Sequence, residues 1–176
     1  MKYILSVLFV ATLSTIGCVD ATVEVENVCS SKSFTIPGVS ESVSAFVGER
    51  TVRRDTKQDI GSTLAKMSDI GELKLTSAYL TFNGNGELSF VHHVKAILHS
   101  EYGGDLLLAD TDVVADSTTV NVPISTDQDR MLVLLKRGQV TLQVFATGNI
   151  PTVETVTTNS FCVGVSAHTN KSLGDL

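Results

Sequence analysis

Two cysteines, Cys29 and Cys162, lie far apart in this chain of 176 residues, and each sits in a short apolar run that is typical of a β-strand. A bond between them would close most of the chain into a single loop and would place the first and last strands side by side. In the chain-entropy model, such a loop stabilises the folded state by about 4–5 kcal/mol. This pair constrains the fold more than any other feature, provided that the chain reaches an oxidising compartment.

The first residues of the chain indicate such a compartment. Lys2 supplies a positive charge, and residues 3–13 form a mostly apolar run. The run is too short for a membrane-spanning helix, which needs about 20 apolar residues. Its length and its flanks are those of a secretory signal. We therefore predict a cleaved signal peptide over residues 1–17 and export of the rest of the chain.

The end of this leader resembles the lipobox of bacterial lipoproteins: residues 15–18 read TIGC, although that family usually has Leu where Thr15 stands. The resemblance implies that Cys18 becomes the mature N-terminus and carries acyl chains such as palmitate, which would tether the protein to a membrane. Val19 stands where Asp would mark inner-membrane retention, and this favours the outer membrane. The alternative is an ordinary periplasmic or secreted protein, cut for example after Ala21.

Once Cys18 is assigned to the anchor, an even number of cysteines remains. In an exported protein, such a pair indicates a disulfide between Cys29 and Cys162 rather than reactive thiols or metal ligands. Two separately buried free cysteines are the alternative.

The charge balance restricts the partners. The chain has 13 basic and 19 acidic residues, a net charge of −6, and the acidic residues are scattered. Nucleic-acid binding needs a concentrated basic face, whereas the one local basic group, Arg50, Arg53 and Arg54, is explained by a solvated strand face. We expect no nucleic-acid partner. The expected partners are a membrane, through the lipid anchor, and another protein of the cell envelope.

Short segments that alternate apolar and polar residues predict a mainly β domain. Seven to nine such strands with turn signals between them favour an antiparallel β-sandwich of the immunoglobulin-like kind, with one or two short helices in the connections. One helix is predicted over residues 59–68, where Ile60, Leu64 and Met67 recur at helical spacing. A second is predicted for residues 131–135, after a capping signal.

The same patterns set the domain boundaries. Residues 18–26 are assigned to the lipidated N-terminus and a short linker, residues 27–168 to the sandwich, and residues 169–176 to a polar tail. Within residues 18–26, the alternation over residues 22–26 has the period of a strand. The predicted core aromatics are Phe34, Phe46, Phe82, Phe90, Phe145 and Phe161.

The strongest turn signal is NGNG at residues 83–86, because Asn-Gly pairs adopt the positive φ angles of tight hairpins. It predicts a hairpin between the strand that ends at Phe82 and a returning strand that starts at Leu88. A slip of the alternation at Ser77 and Ala78 predicts a β-bulge there.

Three features together are similar to a group of small bacterial lipoproteins with immunoglobulin-like sandwiches. They are the lipobox cysteine followed by a cysteine in a strand and by IPG at residues 36–38; GEL at residues 71–73 with LTS at 75–77 and LSFV at 88–91; and Cys162 in the closing strand. The resemblance covers most of the mature chain. It implies the fold and the envelope location, and it brings no catalytic residues with it.

Candidate chemistry elsewhere in the chain is weak. His93 and His99 share a strand face but lie roughly 20 Å apart, too far for one metal ion, so exposed or edge histidines beside Lys95 explain them better. Residues 164–168, GVSAH, depart from a nucleophile elbow at the last position and lie in a terminal strand. Asp110 and Asp112 suggest calcium, but the Gly and distal Glu of an EF-hand are missing, and a turn with capping aspartates explains them.

The sequence therefore favours a non-enzymatic structural, binding or accessory domain that is tethered to a membrane at the cell envelope. One alternative is a binding module for a small apolar or glycan ligand in a sandwich cleft. Another is an envelope hydrolase, in which a Ser, a His and an Asp would meet within hydrogen-bond distance. No catalytic, metal-binding or cofactor-binding residue is predicted; Cys18 is assigned to lipidation, and Cys29 and Cys162 to the disulfide.

Overall fold

A computed structural model describes residues 21–38, 49–58, 60–69, 71–86, 88–101, 103–115, 118–137, 139–149 and 151–169 of the chain. The predicted signal peptide and Cys18 lie outside these residues, as do Phe46 and most of the polar tail. The elements, in chain order, are β1 (Ala21–Ile36), β2 (Glu49–Gln58), α1 (Ile60–Ser68), β3 (Glu72–Gly84), β4 (Val91–Ser100), β5 (Gly104–Asp112), β6 (Thr119–Pro123), α2 (Gln128–Lys136), β7 (Val140–Asn149) and β8 (Thr155–Thr169).

The strands form two four-stranded antiparallel sheets that pack against each other, so the predicted β-sandwich with short helices is confirmed. Sheet A has the order β1-β8-β3-β6, and sheet B has the order β2-β7-β4-β5. The first and last strands are neighbours in sheet A, as the cysteine pair predicts. β1 starts at Ala21, inside the range 18–26 that the sequence assigned to a linker, and includes the alternating residues 22–26.

Alternation along each strand divides the side chains between the core and the solvent. In β8, Phe161, Val163 and Val165 point inward and are fully buried. Leu98 of β4 and Leu142 of β7 meet them from sheet B, and both are also fully buried. The inner sides of both sheets therefore form the core, and the outer sides carry mainly polar and charged side chains.

Both predicted helices form at one end of the sandwich. Ile60, Leu64 and Met67 are buried along α1, as their spacing predicts. α2 starts after Asp127, whose side chain accepts a hydrogen bond from the backbone N–H of Arg130. The two helices pack against each other, and both contact β3. They close the end of the sandwich at which β1 and β3 begin.

The predicted hairpin at residues 83–86 is wrong. β3 pairs with β8 and β6, whereas β4 pairs with β7 and β5, so this segment crosses from one sheet to the other. Two interactions outweigh the local turn preference. Asn85 exchanges hydrogen bonds with the backbone of Val156 on β8, and Leu88 is buried in the core at 1 % exposure. The bulge predicted in β3 is present, because the register with β8 shifts between Leu75 and Ser77.

The core aromatics divide into three groups. Phe82 and Phe161 are buried, and Phe34 and Phe90 pack at the edge of the core. Phe145 was wrongly assigned to the core: it points to the outer side of sheet B, where the guanidinium of Arg53 lies 5.5 Å from its ring centroid. The alternation along β7 already places it there, because Val140, Leu142 and Val144 are buried and Phe145 falls on the opposite side of the strand.

Candidate functional site

The disulfide between Cys29 and Cys162 joins β1 to β8 directly. The two residues are register partners, with their Cα atoms 4.1 Å apart, so the predicted pairing is confirmed. Both side chains lie on the outer side of sheet A, because Phe161 and Val163 on either side of Cys162 point inward. The bond closes a loop of 133 residues in sequence. It therefore ties the two ends of the described chain together across one strand pair.

Next to the disulfide, the outer side of sheet A carries two complete rows of uncharged polar side chains, one residue from each strand. We call these eight residues the neutral face. One row is Ser31, Ser160, Thr81 and Asn121, and the next is Ser33, Thr158, Asn83 and Thr119. Neighbouring strands lie about 4.8 Å apart and successive rows about 7 Å apart. The neutral face therefore covers about 14 Å across the sheet.

Hydrogen bonds across the strands order the neutral face. The hydroxyl oxygens of Ser31 and Ser160 lie 2.9 Å apart, and those of Ser33 and Thr158 lie 2.8 Å apart. On the other half of the sheet, Thr81 donates to Asn121 Oδ1 at 3.2 Å. In the next row, Thr119 donates to Asn83 Oδ1 at 3.1 Å. Every member of the neutral face is thus paired with another member.

A less polar row borders the neutral face on one side. It consists of the disulfide, Tyr79 and Pro123, which are register partners across the four strands. Tyr79 is 37 % exposed, and its hydroxyl donates to Asn27 Oδ1 at 2.7 Å. The phenol ring is therefore held in place at the surface. Charged residues of sheet A, such as Glu24 and Lys74, lie further along, toward the helical end.

The outer side of sheet B has the opposite character. We call its ionisable residues the charged face; they are Arg53, Asp55 and Lys57 of β2, His93, Lys95 and His99 of β4, and Asp105, Asp110 and Asp112 of β5. They lie at alternate positions of β2 and β4, and in β5 a register shift between Leu107 and Ala109 brings Asp105 to the same side as Asp110 and Asp112. Most have a partner of opposite charge.

His93 is the most tightly held group of the charged face. Its Nδ1 lies 2.7 Å from Asp112 Oδ1, and its Nε2 lies 3.0 Å from Asp110 Oδ1. A carboxylate only accepts hydrogen bonds, so both ring nitrogens donate when the imidazole is protonated. The hydrogen bond to Asp112, and then that to Asp110, raises the pKa of His93 above its usual value. The bond from His93, together with that from Lys95, lowers the pKa of Asp110.

The remaining pairs of the charged face are simpler. His99 Nδ1 lies 2.6 Å from Asp105 Oδ1, and His92, at the edge of this face, contacts Glu49. Arg53 makes two hydrogen bonds to Asp55, each of 2.8 Å, and these bonds lower the pKa of Asp55.

These contacts correct two sequence interpretations. Asp110 and Asp112 lie in strand β5 and hold His93, so they do not cap a turn. The three arginines do not share one face, because Arg54 points inward and lies over the ring of Phe34 while Arg53 points outward.

The histidines lie on the strand as predicted, but the carboxylate beside each could not be named from the sequence. Each pairing depends on strand register, which local patterns do not give.

The segment GVSAH, which the sequence compared with a nucleophile elbow, lies within a strand and not at a strand-to-helix turn. Ser166 and His168 both belong to the continuous strand β8, and His168 Nδ1 lies 3.2 Å from the hydroxyl of Thr22. In the part of the chain that the structure describes, no three His, Cys, Asp or Glu side chains come close enough to share a metal ion. None of the described helices is long and apolar enough to cross a membrane.

A cleft opens at the end of the sandwich opposite the helices. Its volume is about 240 Å³, and its lining includes Ile36, Val52, Phe90 and Gly148. Residues 39–48, which lie outside the described ranges, connect the two strands that contribute Ile36 and Val52. The sequence suggested, as an alternative, that an apolar or glycan ligand binds in a cleft of the sandwich. This cleft is the candidate for such a site.

The neutral face is what sequence reasoning missed. The signal was present as alternate Ser, Thr and Asn residues in four separate segments, for instance Ser31 with Ser33 and Thr158 with Ser160. Each segment alone is typical of any solvated strand. The rows arise only when the register places the four segments side by side.

Comparisons with known proteins add little to this geometry. No protein-family model matches the chain, and no curated protein matches it either. Among solved structures, the chain is similar to one titled "Structure of infectious bursal disease virus Gx strain", with 9 % sequence identity and a TM-score of 0.27. The match covers 94 % of this chain and 42 % of that chain, so the chain spans less than half of the viral protein. At this TM-score, the likeness has no bearing on fold or function.

Proposed function

We propose that this protein is exported and that it acts as a non-catalytic binding or accessory domain, held at the cell envelope by a lipid on Cys18. The observation that carries the proposal is the disulfide between Cys29 and Cys162, because such bonds persist in oxidising compartments and are rare in the cytosol. The leader and the lipobox-like residues 15–18 give independent support. The binding role is supported by the two outer faces. The neutral face offers a partner ordered hydroxyls and amides, and the charged face offers ordered ionisable groups.

The proposed anchor also fixes an orientation. Only Val19 and Asp20 separate Cys18 from Ala21, where β1 begins, so the anchor lies within about 10 Å of the strand. Thr22 and Glu72 both pair with His168, so β1 and β3 begin at the same end of sheet A, where α1 enters β3. The helical end of the sandwich would therefore lie near the membrane, and the cleft at the opposite end would face away from it.

Cell fractionation of a Cys18→Ala variant tests the anchor. We expect the wild-type protein to sediment with membranes and the variant to remain in the soluble or precursor fraction without incorporating labelled palmitate. Ser14→Ala is the matched control, because it alters the leader without removing the acylated residue. A Cys18→Ala protein that still sediments with membranes would refute lipidation at this position.

Intact mass tests the compartment. We expect the protein that is isolated from the envelope to gain about 2 Da on reduction, because the disulfide takes up two hydrogens. A protein that already carries two free thiols, at Cys29 and Cys162, would contradict export to an oxidising compartment.

A further inference from the structure

We propose that the neutral face binds an uncharged polysaccharide. The proposal deepens the binding role given above by naming the class of ligand and the surface that meets it. Its starting observation is that eight neighbouring side chains on four strands carry a hydroxyl or an amide and that none carries a charge.

The hydrogen-bonding capacity of the neutral face matches that of sugar hydroxyls, each of which both donates and accepts. The Ser33–Thr158 pair uses one hydroxyl hydrogen internally and leaves the other free to point outward. Asn83 and Asn121 accept through Oδ1 and keep both amide hydrogens for a ligand. Each row therefore leaves both donors and acceptors for a ligand. The internal pairs hold the side chains in one arrangement before binding, which reduces the entropy that a ligand must overcome.

The absence of charge decides between classes of ligand. A phosphate, a carboxylate or a polyamine needs a counter-charge on the surface that receives it. The charged residues on the outer side of sheet A, such as Glu24 and Lys74, lie beyond the row of Tyr79 and the disulfide, toward the helical end. Those of sheet B are largely paired with each other, as Arg53 is with Asp55. A neutral ligand desolvates no ion when it docks on the rows of hydroxyls and amides. The neutral face therefore complements a neutral polyol better than an ionised one.

The adjoining row supplies the apolar contact that a sugar ring needs. Sugar rings present C–H groups on their faces, and the exposed ring of Tyr79 and the neighbouring Pro123 offer an apolar platform beside the hydroxyls. The bond from the Tyr79 hydroxyl to Asn27 fixes the ring. The surface is about 14 Å wide, which is large enough for more than one sugar ring, so we expect an oligosaccharide or a polymer rather than a monosaccharide.

The test is binding of the purified full-length protein to immobilised dextran, mannan and laminarin, with alginate as the acidic comparison. We expect at least one neutral polymer to bind and alginate not to bind. Thr158→Lys should weaken that binding by about tenfold or more, because it places a solvated ammonium among the hydroxyls. Thr158→Ser should bind the neutral polymer as the wild type does, because it keeps the hydroxyl. Tyr79→Ala should weaken it, and Tyr79→Phe should largely preserve it.

Thr147→Lys is the matched control. Thr147 is also a partly buried strand threonine, and its hydroxyl lies 2.7 Å from that of Thr51, but it belongs to the outer side of sheet B. We expect this variant to bind as the wild type does. Urea unfolding of both lysine variants shows whether a loss of binding reflects a loss of fold. If both variants unfold at the same urea concentration as the wild type, a difference in binding belongs to the face.

Other outcomes overturn the proposal. No binding to any neutral polymer, or equal loss in Thr158→Lys and Thr147→Lys, would contradict it. So would binding that disappears between 0.05 and 1 M salt, because contacts between neutral groups are not screened. If sedimentation shows a dimer that Thr158→Lys dissociates, the face is a contact between two copies instead. All of these measurements use purified protein, so their outcome is independent of whether Cys18 anchors the protein in cells.

Discussion

The outer sides of sheets A and B follow the same alternation of strand residues, yet they differ in how their side chains are held. On sheet A, neutral hydroxyls and amides pair across strands beside a disulfide, as Ser33 does with Thr158. On sheet B, imidazoles, ammonium groups and carboxylates pair, as His93 does with Asp110 and Asp112. The first arrangement is independent of pH and salt, whereas the second depends on ionisation. One sandwich therefore offers one constant surface and one adjustable surface.

The largest expected effect on stability comes from the disulfide beside the neutral face. Replacing Cys29 and Cys162 together by Ser should lower the free energy of unfolding by about 5 kcal/mol, because the unfolded chain regains the entropy of a loop of 133 residues. Urea unfolding measures the loss, and reduced wild-type protein should unfold at the same midpoint as the double variant. A loss below about 1 kcal/mol would show that the bond does not constrain the unfolded chain as described.

The next largest effect comes from Phe161, on the inner side of sheet A, and Phe145, on the outer side of sheet B. Phe161→Ala should cost about 3–5 kcal/mol, because its fully buried ring leaves a cavity in the core. Phe145→Ala should cost about 1 kcal/mol, since it removes a surface ring and its contact with Arg53. Thermal or urea unfolding of both variants measures the difference. Equal losses would mean that Phe145 belongs to the core after all.

Local sequence patterns predict only part of this fold. The strands, both helices, the bulge and the disulfide follow from local periodicity, from capping residues and from the pair of cysteines that lie in strand-like runs. The crossing at residues 83–86 does not, because the buried side chain of Leu88 and the bonds of Asn85 to β8 outweigh a strong local turn preference. Neither face could be predicted, since each depends on register between segments that are distant in the chain.

The pH dependence of stability tests the charged face. The pKa of His93 is raised in the folded state, so its contribution is complete below about 6.5, the usual pKa of histidine, and is lost as the pH rises through the folded value. The wild type should therefore lose its advantage over His93→Gln between pH 6 and pH 9. The change should be below about 1 kcal/mol because the groups are exposed to solvent. An advantage that grows with pH would contradict the contacts with Asp110 and Asp112.

Salt should produce the smallest effect and should separate the two faces. In low salt, Lys95→Met and Ser33→Ala should each cost about 0.5 kcal/mol, because each removes one partner of an exposed pair. In 1 M salt, the cost of Lys95→Met should shrink, while that of Ser33→Ala should stay the same. Urea midpoints at the two salt concentrations measure both. A salt-dependent cost for Ser33→Ala would break the distinction between the faces.

The most direct test of the central claim, that the sandwich has one constant face and one ionisable face, is an NMR titration of the wild-type protein from pH 5 to pH 9. We predict that the imidazole of His93 shows a transition above the usual pKa of histidine. We predict that the amide signals of Asn83 and Asn121 stay fixed over the same range. A transition shared by the two asparagines, or none at His93, would contradict the account.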